Sequence, residues 1–401
     1  MTDLNARAGD EKGPSSLPHL CLVSDQLLPN LIPALMQRPP RVHLVVSTAM
    51  AAQGERLRRL LEARDIAVTV HPQAPSGDMA ALKDHVLELA ARLEDQAPLV
   101  LNLTGGTKPI ALAFAQWLPQ LLACESIYTD TARGVIEHLG GSDPEMKPHG
   151  EPMADVLDLA TYLAAYGARA GTPQSDDAEW CARAEQLKSL SKWLAAHAGE
   201  LESFIGVLNM AAEAAMKRED AFLARQPLEA RGARQREALE RIAGDDQGLL
   251  RIVSDTTVEF VDEAAARYLG GIWLEHHAWH VLRDAGMKDV ACGQTIYWQD
   301  GRKDAPKNEL DVVAAHRNRL LLIECKTARF GRSEQKDQDI AHKLEALRRN
   351  AGGLFGTSVL LSARRLSDDM RQRADGYRIR WFDPTNLKTF PDFVRGWIDG
   401  R

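Results

Sequence analysis

The sequence predicts an α/β protein made of two α/β units with a helical stretch between them. Three observations carry that expectation. Short apolar runs alternate with helical ones from Pro18 to about residue 150, residues 151–262 are mostly helical in pattern, and alternation resumes from 263 to the end. At 401 residues the chain exceeds what one hydrophobic core usually holds, so more than one domain is expected.

Taken in order, residues 1–17 are polar, hold Gly, Pro and Ser without periodicity, and predict a disordered leader. In residues 18–150 the runs "HLCLVS", "RVHLVVS", "IAVTV" and "PLVLNLTGG" alternate with "QGERLRRLLEAR" and "DMAALKDHVLELAARLE". Strand–helix alternation of this kind predicts βαβ units and a mostly parallel, doubly wound, Rossmann-like sheet. The runs "ESIYTDT" and "GVIEHLG" predict an edge hairpin, and "GSDPEMKPHGEPM" over 141–153 reads as a linker. Residues 151–262 read as a helical linker or, through the hairpin "LLRIVSDTTVEFV", a winged-helix-like region. Residues 263–401 open on the helix "DEAAARYLGGIWLEHHAWHVLRDAG", followed by strands "QTIYWQD", "NELDVVAAH" and "RLLLIECKT". A helix N-capped by Ser333, just after Gly331, and the strand "TSVLLSA" then complete a second α/β unit.

The net charge of −7 argues against a general nucleic-acid coating protein, but the charge is uneven. Between Arg302 and Arg380 there are 18 Lys and Arg against 11 Asp and Glu, so contact with a polyanion falls to the C-terminal third. The five cysteines (Cys21, Cys124, Cys181, Cys292 and Cys325) are scattered, with no C-x-x-C pair, and predict reduced thiols rather than a disulfide framework or zinc site. No apolar run approaches the roughly 20 residues that span a bilayer, and a cytoplasmic location is expected.

The stretch "NELDVVAAHRNRLLLIECKT", residues 308–327, sets charges into strands rich in Val, Leu and Ile. Side chains alternate along a strand, so Glu324 and Lys326 share a face while Cys325 takes the other. Asp311 lies across a short hairpin and is expected on the neighbouring strand beside Glu324. Carboxylates buried together need a compensating cation. Mg²⁺ or Mn²⁺ suits two carboxylates and a phosphate oxygen, with Lys326 acting on the attacking water. A plain Glu324–Lys326 ion pair is the competing reading. His276, His277 and His280 come close to helical metal-ligand spacing, but helix surface or core is the simpler reading for them.

"LVLNLTGGTKPIALAF" predicts a strand, a loop of Thr104, Gly105, Gly106, Thr107 and Lys108, and a helix with Pro109 in its first turn. Glycines admit a ligand close to the backbone, and a helix N-terminus with hydroxyls and a lysine suits phosphate. The P-loop spacing is missing, and an ordinary strand-to-helix turn is the competing reading.

Asp311 with the Glu324-Cys325-Lys326 triplet resembles the PD-(D/E)xK nuclease family, "NELD" standing where that family has its first aspartate. The resemblance implies a restriction-endonuclease-like domain in which Asp311 and Glu324 bind Mn²⁺ or Mg²⁺ and Lys326 is catalytic. It makes the Cys325 carbonyl an additional ligand and assigns Glu275, on the preceding helix, to the catalytic group. Glu309 shares a strand face with Asp311 and belongs either to the metal's surroundings or to a surface ion pair. "NLTGGTKPIALAF" after a Rossmann-like sheet resembles the ligand motif of CARF domains, which sense cyclic oligoadenylates in type III CRISPR immunity. That resemblance adds Ser24, Asp25 and Gln26 at the end of the first strand, and Ser47 and Thr48 at the end of the next, to the loop as ligand-binding residues. Together the two imply an antiviral endonuclease activated by a cyclic oligoadenylate, foremost cyclic tetra-adenylate, cleaving DNA or RNA as a homodimer. A ligand-responsive transcription regulator and a constitutive restriction or repair nuclease are the alternatives.

Overall fold

The computed structural model describes residues 17–141, 147–216, 221–244, 248–298, 307–328, 334–347, 349 and 353–400. Residues 1–16 of the expected leader (1–17), part of the expected linker, and Gly331 and Ser333 lie outside the described residues. The chain divides into two compact units, Met1–Leu157 with Ala164–Tyr166, and Asp158–Leu163 with Gly167–Arg401.

In the first unit the apolar runs become β1 (His19–Leu22), β2 (Arg41–Ser47), β3 (Ala67–Ala74), β4 (Leu99–Asn102) and β5 (Cys124–Asp130), all parallel. β6 (Val135–Gly141) and β7 (His149–Pro152) follow antiparallel, and the sheet order is β3-β2-β1-β4-β5-β6-β7. β7 lies within the segment read from sequence as a linker. The chain steps outward from β1 to β3, then returns to β4 on the other side of β1. That reversal is a topological switch point, where the carboxyl ends of β1 and β4 diverge and leave a crevice. β1 and β4 are buried along their whole length, as central strands covered on both faces must be. The helices Met79–Leu93 and Lys108–Leu121 cover one face, with Leu82, Val86, Leu89, Ile110, Phe114 and Leu118 packed on Leu20, Leu22, Leu99 and Leu101.

The second unit is built on a mixed sheet of β8 (Ala168–Ala170), β12 (Asp289–Trp298), β13 (Lys307–His316), β14 (Arg319–Lys326), β15 (Gly356–Ser362) and β16 (Arg380–Phe382), in the order β16-β15-β14-β13-β12-β8. β12, β13 and β14 form an antiparallel meander, while β14, β15 and β16 run parallel. A three-stranded sheet pairs β9 (Arg225–Pro227), β10 (Leu250–Ser254) and β11 (Thr257–Phe260) in the order β10-β11-β9. The helices of the middle region share one core with the C-terminal sheet. Leu194, Phe204 and Leu208 join Trp273, Val312, Ile323 and Trp397 in a single apolar cluster. Among the described residues no helix is long and apolar enough to cross a membrane.

Candidate functional site

In the second unit Val312 pairs with Ile323 across β13 and β14, and continuing that register sets Asp311 level with Glu324. Asp311 Oδ2 accepts a hydrogen bond from the Cys325 amide at 2.7 Å. Lys326 Nζ stands 2.7 Å from Glu324 Oε1 and 3.8 Å from Asp311 Oδ2. Asp311, Glu324 and Lys326 therefore converge as one cluster at the end of β14. Lys343 joins them from the helix Glu334–Leu347, its ammonium 3.1 Å from Glu324 Oε1 and 2.9 Å from Oε2. Sequence reasoning missed Lys343. Its one signal was a place beside the apolar stripe of Ala341 and Leu344 on a helix following the charged strand.

Burial and like charge set the electrostatics. Glu275, on the helix Trp273–Asp284, is pushed up to about 8, first by burial and then by the Asp311 carboxylate. Asp311 rises to about 6, by burial and then by Glu324. Burial also opposes the charge on Glu324, but Lys326 and Lys343 outweigh it and hold this carboxylate below its ordinary range. For Lys326 burial favours the neutral amine, yet Glu324 and Asp311 keep it an ammonium ion well into alkaline pH.

Both ammonium groups thus serve Glu324 first, and Asp311 is left with the more distant one. Among the described residues no three His, Cys, Asp or Glu side chains enclose a metal position. Mg²⁺ and Mn²⁺ do not require one, since one or two carboxylates, a carbonyl and waters suffice. Asp311 and Glu324 on adjacent strands, with the nearest ammonium 3.8 Å from Asp311, fit such an ion.

The other sequence candidates separate. The Cys325 thiol is buried in the apolar core and pushed well above its ordinary value, so only its backbone carbonyl remains as a possible ligand. Glu309 is exposed and accepts from Gln174 Nε2 at 3.3 Å. His276, His277 and His280 are buried. His276 packs edge-on against Trp180 and Tyr268, and a His280 ring nitrogen bonds the Ala184 carbonyl at 2.9 Å. Burial lowers His276 to about 3 and His277 to about 4, which keeps both neutral. Asn209 and Thr327 brace the end of β14. Asn209 Nδ2 donates to the Thr327 carbonyl at 2.8 Å, and Thr327 Oγ1 donates to the Gly270 carbonyl at 3.1 Å, just ahead of the helix bearing Glu275.

In the first unit the switch point brings the end of β1, with Ser24, Asp25 and Gln26, beside the loop Thr104–Lys108 after β4. Asn102 Oδ1 accepts from the Thr104 amide at 3.0 Å and the Thr104 hydroxyl at 2.7 Å, and Thr104 Oγ1 accepts from the Thr129 amide at 2.7 Å. The loop is thereby tied to β5. Asn30 Nδ2 donates to the Leu22 carbonyl at 2.7 Å, and Gly105 lies so close to that carbonyl that a Cβ would overlap its oxygen. Gly106 follows at φ +75°, a conformation that L side chains rarely adopt. Asp25 accepts from Gln53 at 2.8 Å, and Gln26 Oε1 accepts from the Tyr166 hydroxyl at 3.0 Å. Thr107 and Lys108 are exposed at the start of the helix Lys108–Leu121, where backbone N–H groups and the helix dipole favour an anion. Ser47 is buried at the end of β2, and Thr48 beyond it is exposed.

Two family models match the chain, the Card1 CARF domain over residues 19–162 and the Card1-like endonuclease domain over residues 262–400. No curated protein matches. Among solved structures, protein VC1899 from Vibrio cholerae superposes with a TM-score of 0.82 at 22% identity, over 96% of this chain and 98% of that one. Can2 from Sulfobacillus thermosulfidooxidans, in complex with cyclic tetra-adenylate, superposes with a TM-score of 0.75 at 24% identity, over 95% of this chain and 97% of that one. A type III CRISPR defence DNA nuclease activated by cyclic oligoadenylate gives a TM-score of 0.51 at 15% identity, over 88% of this chain but 46% of its own.

Proposed function

We infer the function from what the chain is, a Card1 CARF domain joined to a Card1-like endonuclease domain, and propose a nuclease switched on by a cyclic oligoadenylate. The convergence of Asp311, Glu324 and Lys326 on adjacent strands is the observation that carries the nuclease half. The glycine loop at the switch point, and the cyclic tetra-adenylate held by the similar Can2, support the sensor half.

In this reading Asp311, Glu324 and the Cys325 carbonyl hold Mn²⁺ or Mg²⁺. The bound ion would supply Lewis acidity and lower the pKa of water. Lys326, kept protonated and fixed by Glu324, orients the attacking water and offsets charge gathering on the phosphorane oxygens. Glu275, whose burial beside the Asp311 carboxylate favours its protonated form, would act as an acid–base group of the site. The reaction is hydrolysis of a phosphodiester by water. It needs no ribose 2′-hydroxyl, so DNA and RNA are both substrates in principle. Thr104–Lys108, Ser24, Asp25, Gln26, Ser47 and Thr48 bind the activator, and two copies of the chain present these residues to one cyclic ligand. A regulator that reads DNA through "RGARQREALERIAG" has less support, because Arg234 of that helix is engaged by Glu200 and Glu237, each at 2.6 Å.

The test is cleavage of labelled single-stranded DNA, single-stranded RNA and supercoiled plasmid with Mn²⁺, with and without cyclic tetra-adenylate. Activity that requires the ligand and disappears in Lys326→Ala is expected. Cleavage that persists without ligand would remove the sensor half, and no cleavage under any condition would remove the nuclease half.

A further inference from the structure

Lys343 has no task in the hydrolysis proposed above, yet it is placed on both oxygens of Glu324. Positive charge in the site is lopsided. Lys326 already serves Glu324 at 2.7 Å, while it stands 3.8 Å from Asp311. A second ammonium on Glu324 therefore does more than neutralise a buried carboxylate. Bonded to both oxygens, it takes up lone pairs that a hard cation needs, and it places a like charge where that cation must arrive.

The two lysines differ in freedom. Lys326 extends from β14 itself, within two residues of Glu324, so its ammonium stays close whatever binds. Lys343 reaches in from a separate element, the helix Glu334–Leu347, on a four-carbon stem; its side chain is 34% exposed against 28% for Lys326, so the difference between them lies in the element that carries each and in the second contact of Lys326, with Asp311. When one of them yields, Lys343 is the one able to do so.

We propose that Lys343 is a displaceable counter-ion: it closes Glu324 in the metal-free protein, gives that carboxylate up to the divalent cation, and then faces the substrate phosphate as an unpaired positive charge. This rests on the acidic cluster being the metal-dependent nuclease site. The two halves of the role have opposite signs in a variant lacking the charge. Without the competitor, metal binds more tightly. Without the freed ammonium, the anionic phosphate and the charge developing on it lose a partner, and cleavage slows. A purely structural lysine would weaken both.

The experiment uses the full-length protein and its Lys343→Met, Lys343→Arg and Glu324→Gln variants, each first checked for a wild-type melting profile. Mn²⁺ binding is titrated by the loss of the free-ion electron paramagnetic resonance signal, without nucleic acid or activator. Single-turnover cleavage is then measured at saturating Mn²⁺ with cyclic tetra-adenylate. Lys343→Met is expected to bind Mn²⁺ about three- to tenfold more tightly and to cleave at least about tenfold more slowly, while Lys343→Arg keeps wild-type affinity. Unchanged or weaker Mn²⁺ binding in a folded Lys343→Met protein overturns the proposal, as does tighter binding with unchanged cleavage. Wild-type Mn²⁺ affinity in Glu324→Gln would instead show that the ion does not sit at Glu324, and the site assignment would fall together with the role of Lys343.

Discussion

Replacing Gly105 by alanine tests whether the switch-point loop is held where the ligand must bind. A Cβ there would overlap the Leu22 carbonyl oxygen and stand 2.9 Å from its carbon and 3.0 Å from Asn30 Nδ2, against ordinary contacts of 3.4–4 Å. All of the Leu22 atoms involved are backbone, in a fully buried central strand, so the loop has to retreat instead. Retreat by half an ångström or more loosens the ties from Thr104 to Asn102 and Thr129, and the Asn30–Leu22 bond of 2.7 Å is strained from its other side. Overpacking and a weakened buried hydrogen bond together are worth about 3 kcal/mol. For a unit of this size that is a fall in melting temperature of roughly 6–12 °C. The displaced loop should also bind cyclic tetra-adenylate at least about tenfold more weakly by calorimetry. Gly77→Ala is the control, since nothing lies within 4 Å of a Cβ there. A Gly105→Ala protein that melts and binds like wild type would refute the argument that the close approach fixes the loop.

Further expectations concern the acidic site. Glu275 and Asp311 titrate at about 8 and about 6, above their ordinary 4.5 and 3.8, so ionising them costs the folded state more than the unfolded. In metal-free protein their contribution to stability should therefore fall as pH rises from about 4 to about 8, opposite in sign to that of the buried, neutral His276 and His277 below about pH 6.5, and Glu275→Gln should remove its share of that fall. A difference in urea midpoint between wild type and Glu275→Gln that stays constant between pH 5 and 8 would contradict this. Asn209→Ala removes the donor to Thr327 and should slow cleavage about tenfold with KM unchanged, as expected for lost positioning; an unchanged rate would show that β14 needs no such brace. Cys325→Ser puts a hydroxyl into the apolar core and should cost about 1–3 kcal/mol by denaturation, while leaving Mn²⁺ affinity within about twofold because the backbone carbonyl is retained. Lost Mn²⁺ binding there would mean the thiol takes part after all.

The parts of this protein legible in its sequence are those in which one residue type breaks a strong local pattern. β1, β4 and β14 read as strands because they are buried on both faces and nearly all apolar, and Glu324 and Lys326 stand out against that background. The glycine pair read as a close approach because little else justifies two glycines between a strand and a helix. What stayed hidden depends on tertiary pairing. β9, three residues of "RQP", carries no strand signal of its own, so the expected hairpin did not reveal its third strand. The middle helices showed an apolar face but not its partner, and that partner is the core that also holds Trp273 and Ile323. Lys343 is the sharpest case. A lysine on a polar helix is by default a solvated surface charge, and only the packing of that helix near β14 turns it into a ligand of Glu324. A buried carboxylate announces itself in sequence through the apolar residues around it, whereas the cation that answers it comes from a surface where cations are common. For this reason a charge set among the apolar residues of a strand, Lys326 included, is readable from one chain, whereas a cation supplied by a polar helix has to be found in the fold.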